Sequence, residues 1–129
     1  MFTILLVDDD PVMRLLVDSM LQHVTDDQYE MVYVQRCSDA LNHVNSRCFD
    51  LILLDNRLSR TVTAQATVPM FRRSAFQSPI AIISSDVSAD YLSHPSILGV
   101  SHIVDKSQLC DFIRKQIVLA GLVSYEAAE

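Results

Sequence analysis

Three consecutive carboxylates, Asp8-Asp9-Asp10, stand directly behind the apolar run Thr3 to Val7. A second run, Asp50-Leu51-Ile52-Leu53-Leu54-Asp55, also ends on a carboxylate, a third ends on Ser84, and Lys106 follows a fourth. If these runs are strands of one sheet, Asp8, Asp9 and Asp55 meet in one crevice with Ser84 and Lys106 beside them. Two carboxylates about 4 Å apart repel by about 4 kcal/mol at an effective dielectric of 20, so three ionised together call for a cation. Oxygen donors without His or Cys select a hard ion. Mg²⁺ is the usual choice where phosphate is the other ligand, with Mn²⁺ the alternative. A carboxylate held between such an ion and a Lys ammonium is a nucleophile toward a phosphoryl group, because both cations offset the charge on its oxygens.

The elements that position these groups are legible from periodicity. Thr3 to Val7 is continuous and apolar, as expected of a strand covered on both faces. Asp10-Pro11 reads as a helix cap with proline at the first helical position. Met13, Leu16, Val17, Met20 and Leu21 then recur at helical spacing through Val12 to His23. Met31 to Cys37 reads as the second strand, followed by a helix that Ser38-Asp39 caps and that ends near Ser46. The run to Asp55 is the third strand. A third helix is expected within Thr63 to Ala75, limited or kinked by Pro69. Ile80 to Ile83 is the fourth strand, Ser88 to Ser93 a weaker helix, and Ser101 to Val104 the fifth strand. Ser107 to Ala120 closes as a helix with Leu109, Ile113, Ile117 and Ala120 on one stripe. Five strands alternating with five helices imply an α/β fold: a doubly wound, flavodoxin-like, five-stranded parallel sheet in the order 2-1-3-4-5 with helices on both faces. Sites in such sheets form at the carboxyl ends of the strands, where the order reverses.

Composition narrows the setting. The chain has 129 residues, enough for one domain whose core needs no disulfide or structural metal. Thirteen Asp against three Glu favour caps, strand ends and metal sites over helix faces. A net charge of −6 argues against nucleic acid as a direct partner. No run reaches the roughly 18 apolar residues of a membrane helix. The start of the chain meets Asp8 too soon for a signal peptide. Cys37, Cys48 and Cys110 are odd in number and lack a Cys-x-x-Cys pair, so they read as free thiols of a reducing compartment. The expectation is a cytoplasmic protein. His23, His43, His94 and His102 are scattered and suggest no metal site.

At Leu5-Leu6-Val7-Asp8-Asp9-Asp10-Pro11, Phe49-Asp50-Leu51-Ile52-Leu53-Leu54-Asp55, Pro79-Ile80-Ala81-Ile82-Ile83-Ser84-Ser85 and Gly99-Val100-Ser101-His102-Ile103-Val104-Asp105-Lys106 the chain resembles the receiver domain of bacterial two-component response regulators, the family that includes the chemotaxis regulator. The resemblance covers about Phe2 to Ala120. It implies a stand-alone receiver domain over residues 1–123 with a short tail at 124–129. By resemblance, Asp55 is the phosphoacceptor and a metal ligand, Asp9 a direct Mg²⁺ ligand, and Asp8 a support to the metal through water. The main-chain carbonyl of Arg57 would be a further ligand, Lys106 the phosphate partner, and Ser84 the hydroxyl switch. Arg57 and Asp86 stand where the family modulates phosphoryl lifetime. The implied partners are a histidine kinase or histidine phosphotransfer protein and a downstream protein target, with a homodimer left open and neither nucleic acid nor membrane contacted. Such a protein is a signalling phosphoacceptor that takes part in its own phosphotransfer and dephosphorylation rather than an enzyme.

Several positions depart from the family pattern. Ser59 replaces the usual proline, and the loop Arg60-Thr61-Val62-Thr63 lacks the usual glycine. Ile103 holds the switch position where the family has an aromatic ring, and Ser107 replaces the proline after the lysine, so a trans bond is expected there. A competing resemblance places Ile4 to Val12 beside the Asp-x-Asp-x-Val signature of haloacid dehalogenase-type phosphatases. That alternative makes Asp8 the nucleophile and Asp10 the acid/base. It leaves Asp55 without a role, finds no acidic pair after Lys106 and has no room for a cap insertion.

Overall fold

Strand β1 (Phe2–Val7) divides its side chains between two apolar layers, as the two-residue period of a strand requires. Phe2, Ile4 and Leu6 enter one cluster, whereas Leu5 and Val7 enter the other. The computed structural model describes residues 1–59, 61–74 and 78–121. It contains β1, α1 (Pro11–Thr25), β2 (Tyr29–Val34), α2 (Cys37–Val44), β3 (Leu51–Asp55), α3 (Ala64–Ser74), β4 (Ile80–Ser84), the short α4 (Pro95–Leu98), β5 (His102–Asp105) and α5 (Leu109–Leu119). The strands form one sheet in the order β2-β1-β3-β4-β5, every neighbouring pair parallel. This is the flavodoxin-like order expected from the sequence. Helices α1 and α5 cover one face through Met13, Val17, Leu21, Leu109, Ile113 and Ile117. Helices α2 and α3 cover the other through Ala40, Val44, Ala64, Val68 and Phe71. β3 and β4 are buried along their whole length, which explains why they read as unbroken apolar runs.

The local signals hold where chemistry enforces them. The Asp10 carboxylate accepts a hydrogen bond from the Val12 amide at 3.0 Å, and Pro11 opens α1. Asp50 is tied to Thr3 by its amide at 2.7 Å and its hydroxyl at 3.0 Å, which fixes the entry to β3 beside β1.

Other boundaries move. β2 runs from Tyr29 to Val34 rather than from Met31 to Cys37, because it pairs with β1 residue for residue and stops where β1 stops, at Val7 opposite Val34. Cys37 therefore opens α2, and Arg36 is its N-cap without a side-chain hydrogen bond; Ser38 and Asp39 lie inside the first turn and do not cap it. α3 continues through Pro69 to Ser74. The expected Ser88–Ser93 helix is instead a single 3-10 turn at Asp90–Leu92, followed by α4, which starts at Pro95. Gly99, at φ +92°, ends α4 and donates its amide to Pro95 O at 2.9 Å, a conformation that favours glycine. Leu16 and Ala120 are exposed and do not belong to the buried stripes. α5 is preceded by a 3-10 turn at Lys106–Gln108. The bond after Lys106 is trans, and the Ser107 amide and hydroxyl both donate to Asp105 Oδ1 at 2.9 Å. A proline could not make the first of these bonds. Arg60 of the glycine-free loop, and the expected domain end at 123 with the tail 124–129, lie outside the described residues.

Candidate functional site

Register alone brings the carboxylates together. Val7 of β1 lies opposite Leu54 of β3, so Asp8 and Asp55, one residue further along each strand, end up side by side. Asp55 pairs with Ile83, and Ser84 with Asp105, which carries the row across to Lys106. One oxygen from each of Asp8, Asp9 and Asp55 lies within 4.8 Å of the others. Asp8 is fully buried, Asp55 is 6 % exposed, and Asp9 is open to solvent. The Lys106 ammonium sits 3.3 Å from Asp8 Oδ2 and 3.5 Å from Asp55 Oδ1. An open cleft of about 560 Å³ contains this group, with Asn56, Arg57, Ser84, Asp86 and Tyr91 on its walls. The structure thus brings the acidic trio, Lys106, Arg57 and Asp86 together in one cleft.

Each carboxylate is held in its own way. Asp8 Oδ1 accepts the Asp10 amide at 2.9 Å, and Tyr33 donates to the Asp8 carbonyl at 2.9 Å. Asp8 Oδ2 is buried, accepts no hydrogen bond among the described residues and lies 3.3 Å from the Lys106 ammonium. Asp55 Oδ1 accepts from the Arg57 amide at 3.5 Å. Burial opposes the charge on Lys106, but the carboxylates of Asp55 and Asp8 outweigh it and hold its pKa above the ordinary lysine value. Asp86 is exposed, and hydrogen bonds from Ser88 hold its carboxyl below the usual carboxylate range.

Of the two switch candidates, Ser84 lines the same cleft as the acidic trio and Ile103 does not. Ser84 has the strand parity of Ile80 and Ile82, which face α3, and its hydroxyl donates to Asp86 O at 2.7 Å while accepting the Asp86 amide at 3.2 Å. Ile103 packs half-buried against the same apolar layer and does not line the cleft. Asn56 and Tyr91 also line the cleft, although nothing in their sequence surroundings marks them. Asn56, 5 % exposed, accepts at its Oδ1 from the Ala64 amide at 3.3 Å and from the Tyr91 hydroxyl at 2.9 Å. A polar residue directly behind a buried strand demands partners, but these lie 8 and 35 positions away.

The donor set fits a hard divalent cation. All ligands on offer are carboxylate oxygens, and the buried Asp8 Oδ2 lacks a hydrogen bond that an ion or its water could supply. Three carboxylates face one ammonium, and the mismatch shows in Asp55. Burial first, then the neighbouring Asp8, push its pKa up from 3.8 to about 6, against the pull of Lys106 and the Arg57 amide. An unfolded chain releases this proton near 3.8, while the folded one keeps it to about 6. The stability this group contributes is thus full below the lower value, declines as pH rises, and is lost above the upper one. Asp55→Asn cannot ionise. Without metal it is expected to exceed the native chain in stability by roughly 2–3 kcal/mol at about pH 7, and to lose that advantage below about pH 4. Chemical denaturation in chelator at the two pH values checks this; an unchanged gap contradicts it.

Comparison with known proteins agrees with this geometry. The response regulator receiver domain model matches residues 4–118. A search of curated protein sequences finds no match. Among solved structures, the receiver domain of sensor histidine kinase PA1611 from Pseudomonas aeruginosa PAO1, with a magnesium ion coordinated in its active site cleft, is 20 % identical at a TM-score of 0.71, covering 90 % of this chain and 97 % of that one. The response regulator protein TrrA of Thermotoga maritima, in complex with Mg²⁺-BeF, is 24 % identical at a TM-score of 0.72 over 95 % of this chain and 100 % of that one. The crystal structure of histidine kinase ThkA in complex with TrrA gives 24 % identity and a TM-score of 0.68, covering 91 % and 99 %. These likenesses establish the fold, and the family match extends over most of the chain. A haloacid dehalogenase-type assignment finds no support in them. With its sheet order, acidic trio and lysine in place, the chain belongs to the response regulator receiver domain family.

Proposed function

We propose that this protein accepts a phosphoryl group on Asp55 from a phosphohistidine and converts the event into altered contacts with another protein. The single observation that carries this reading is the position of Asp55: nearly buried, in a cleft, beside the Lys106 ammonium and two further carboxylates. Asp55 Oδ1 is taken up by Lys106 and the Arg57 amide, which leaves Oδ2 for the incoming phosphorus. The nitrogen–phosphorus bond of the donor breaks as the oxygen–phosphorus bond forms, and the leaving imidazole takes up a proton. Lys106 orients Asp55 and is within reach of a phosphoryl oxygen. Asp8, fully buried, keeps Lys106 in place from behind. Asp9 and Asp55 would hold Mg²⁺ with the Arg57 carbonyl, and Asp8 would act on it through water. The bound ion supplies charge neutralisation on the carboxylate and on the phosphoryl oxygens. The Mg²⁺ of the PA1611 and TrrA structures supports a Mg²⁺ site in this cleft.

A histidine kinase or histidine phosphotransfer protein is the donor on this reading, as the ThkA–TrrA complex suggests by analogy. The receiver domain spans residues 1–123. Among the described residues no helix is long and apolar enough to cross a membrane, and we place the protein in the cytoplasm. The reading is tested by incubation with Mg²⁺ and a labelled small phosphodonor. Label that hydroxylamine removes, as it does from an acyl phosphate, supports it; a protein that stays unlabelled by both small donors and phosphorylated kinases contradicts it.

Arg57 and Asp86 flank the cleft mouth, where a water molecule must enter to hydrolyse the acyl phosphate. Truncating an exposed charge changes stability by only about 0–1 kcal/mol, so the value of Arg57 is kinetic. Arg57→Ala is expected to shorten the acyl-phosphate lifetime, measured as loss of label over time. Equal decay in variant and native chain removes Arg57 from this role.

A further inference from the structure

The hydrogen bond between Tyr91 and Asn56 lies outside the chemistry described above, yet it touches the site directly. Asn56 follows Asp55 in the chain and donates its backbone amide to Ile83 O at 2.8 Å, so it is locked to the sheet. Its side-chain oxygen faces the Ala64 amide, which can only donate; this fixes the amide orientation and makes Tyr91 the second donor. Tyr91 belongs to the 3-10 turn after β4. Its side chain lines the acidic cleft on one side and, on the other, a second cleft of about 460 Å³ formed with Gln65 and Pro69 of α3 and His94, Ile97 and Leu98 around α4. Tyr91 is thus shared by the acidic cleft and by an outer groove in which Ile97 is 82 % exposed.

We infer that Tyr91 is a positioning residue through which the state of Asp55 reaches the segment 84–98: its phenol ties that segment to Asn56 and is released when a phosphoryl group enters the cleft. The inference rests on Asp55 as the phosphoryl site. Three features support it. The phenol has one proton, now given to a neutral amide oxygen, whereas a phosphoryl oxygen is a charged acceptor and forms a roughly twofold stronger bond. Release is inexpensive, because Asn56 Oδ1 keeps the Ala64 amide and is not orphaned. Ahead of Tyr91, Ser85, Asp86 and Ser88 are exposed and their printed hydrogen bonds are short local ones, Ser84 with Asp86 and Asp86 with Ser88. Ala89, Tyr91 and Leu92 pack against the apolar layer, so motion of the exposed stretch acts on the Tyr91 turn. Displacing the ring then reshapes the outer groove.

The test compares methyl, amide and tyrosine-ring NMR spectra of the full chain and of Tyr91→Phe, each with Mg²⁺ and with saturating Mg²⁺-beryllofluoride as phosphoryl mimic. In the native chain the mimic is expected to shift the Ser84–Ser88 amides, the Tyr91 ring and the Ile97 methyls together. In Tyr91→Phe, which keeps the ring and loses one oxygen, the Ser84–Ser88 shifts are expected to remain and the Ile97 shift to be lost. A merely structural tyrosine would leave the ring unmoved in the native chain, and this result overturns the inference, as does an Ile97 shift of equal size in both proteins. A native chain that shows no shifts at all with the mimic counts against Asp55 as the phosphoryl site, and so is distinguishable from a failure of Tyr91 alone.

Discussion

Asp55→Asn is expected to abolish acyl-phosphate formation, whereas Asp8→Asn only slows it. The substitution at 55 preserves size and shape but replaces a nucleophilic oxygen pair with an amide, and no other carboxylate can take its place. Asp9 is exposed but has no contact with Lys106, while Asp8 is fully buried and its Oδ2 faces that lysine at 3.3 Å, with no approach for a large donor. Removing the charge of Asp8 loosens Lys106 and the expected water-bridged support to the metal. Losses at such outer positions run to about 10–100-fold. Labelling time courses of the two variants with the same phosphodonor check this. The reverse pattern, with Asp8 indispensable and Asp55 dispensable, belongs to a phosphatase-like mechanism and contradicts the account.

Mg²⁺ is expected to stabilise the folded chain strongly, because folding brings Asp55 within 4.8 Å of the adjacent carboxylates Asp8 and Asp9 and so adds repulsion that the unfolded chain lacks. Free metal at ten times its dissociation constant adds about 1.4 kcal/mol, and more at higher concentration. Asp9→Ala is expected to remove most of this response and, by relieving repulsion, to raise the melting temperature in chelator. Thermal unfolding with and without Mg²⁺ decides the point. A native chain whose melting temperature ignores millimolar Mg²⁺ does not use these residues as a metal site.

Much of this was legible in the sequence because it depends on signals local to one strand or turn. β1, β3 and β4 are buried on both faces, so Ile4 to Val7, Leu51 to Leu54 and Ile80 to Ile83 appear as unbroken apolar runs, and the residues that end them mark the functional edge of the sheet. Once the strand order is known, register does the rest for Asp8, Asp55 and Lys106. Edges that depend on pairing partners were less visible. β2 starts at Tyr29 because β1 starts at Phe2, a fact about the neighbour and not about residues 29–34. The helix expected at Ser88–Ser93 failed because Pro95 restarts the chain in a new turn and only Leu92 in that stretch is buried. In α1 the buried stripe runs Met13, Val17, Leu21 and Thr25, four residues apart, which turns Leu16 outward although its spacing also looked helical. The side-chain partnerships of Ser84 with Asp86 and of Asn56 with Tyr91 carry no periodic signal and emerge only in three dimensions.

The central claim, that Asp55 receives the phosphoryl group, is tested most directly by locating that group in the native protein. Borohydride reduction of the phosphorylated chain converts an aspartyl phosphate to homoserine, which peptide mass spectrometry can place. The modification is expected at Asp55 alone, in the peptide that carries β3. A modification at Asp8 or Asp9, or on a histidine, would contradict it.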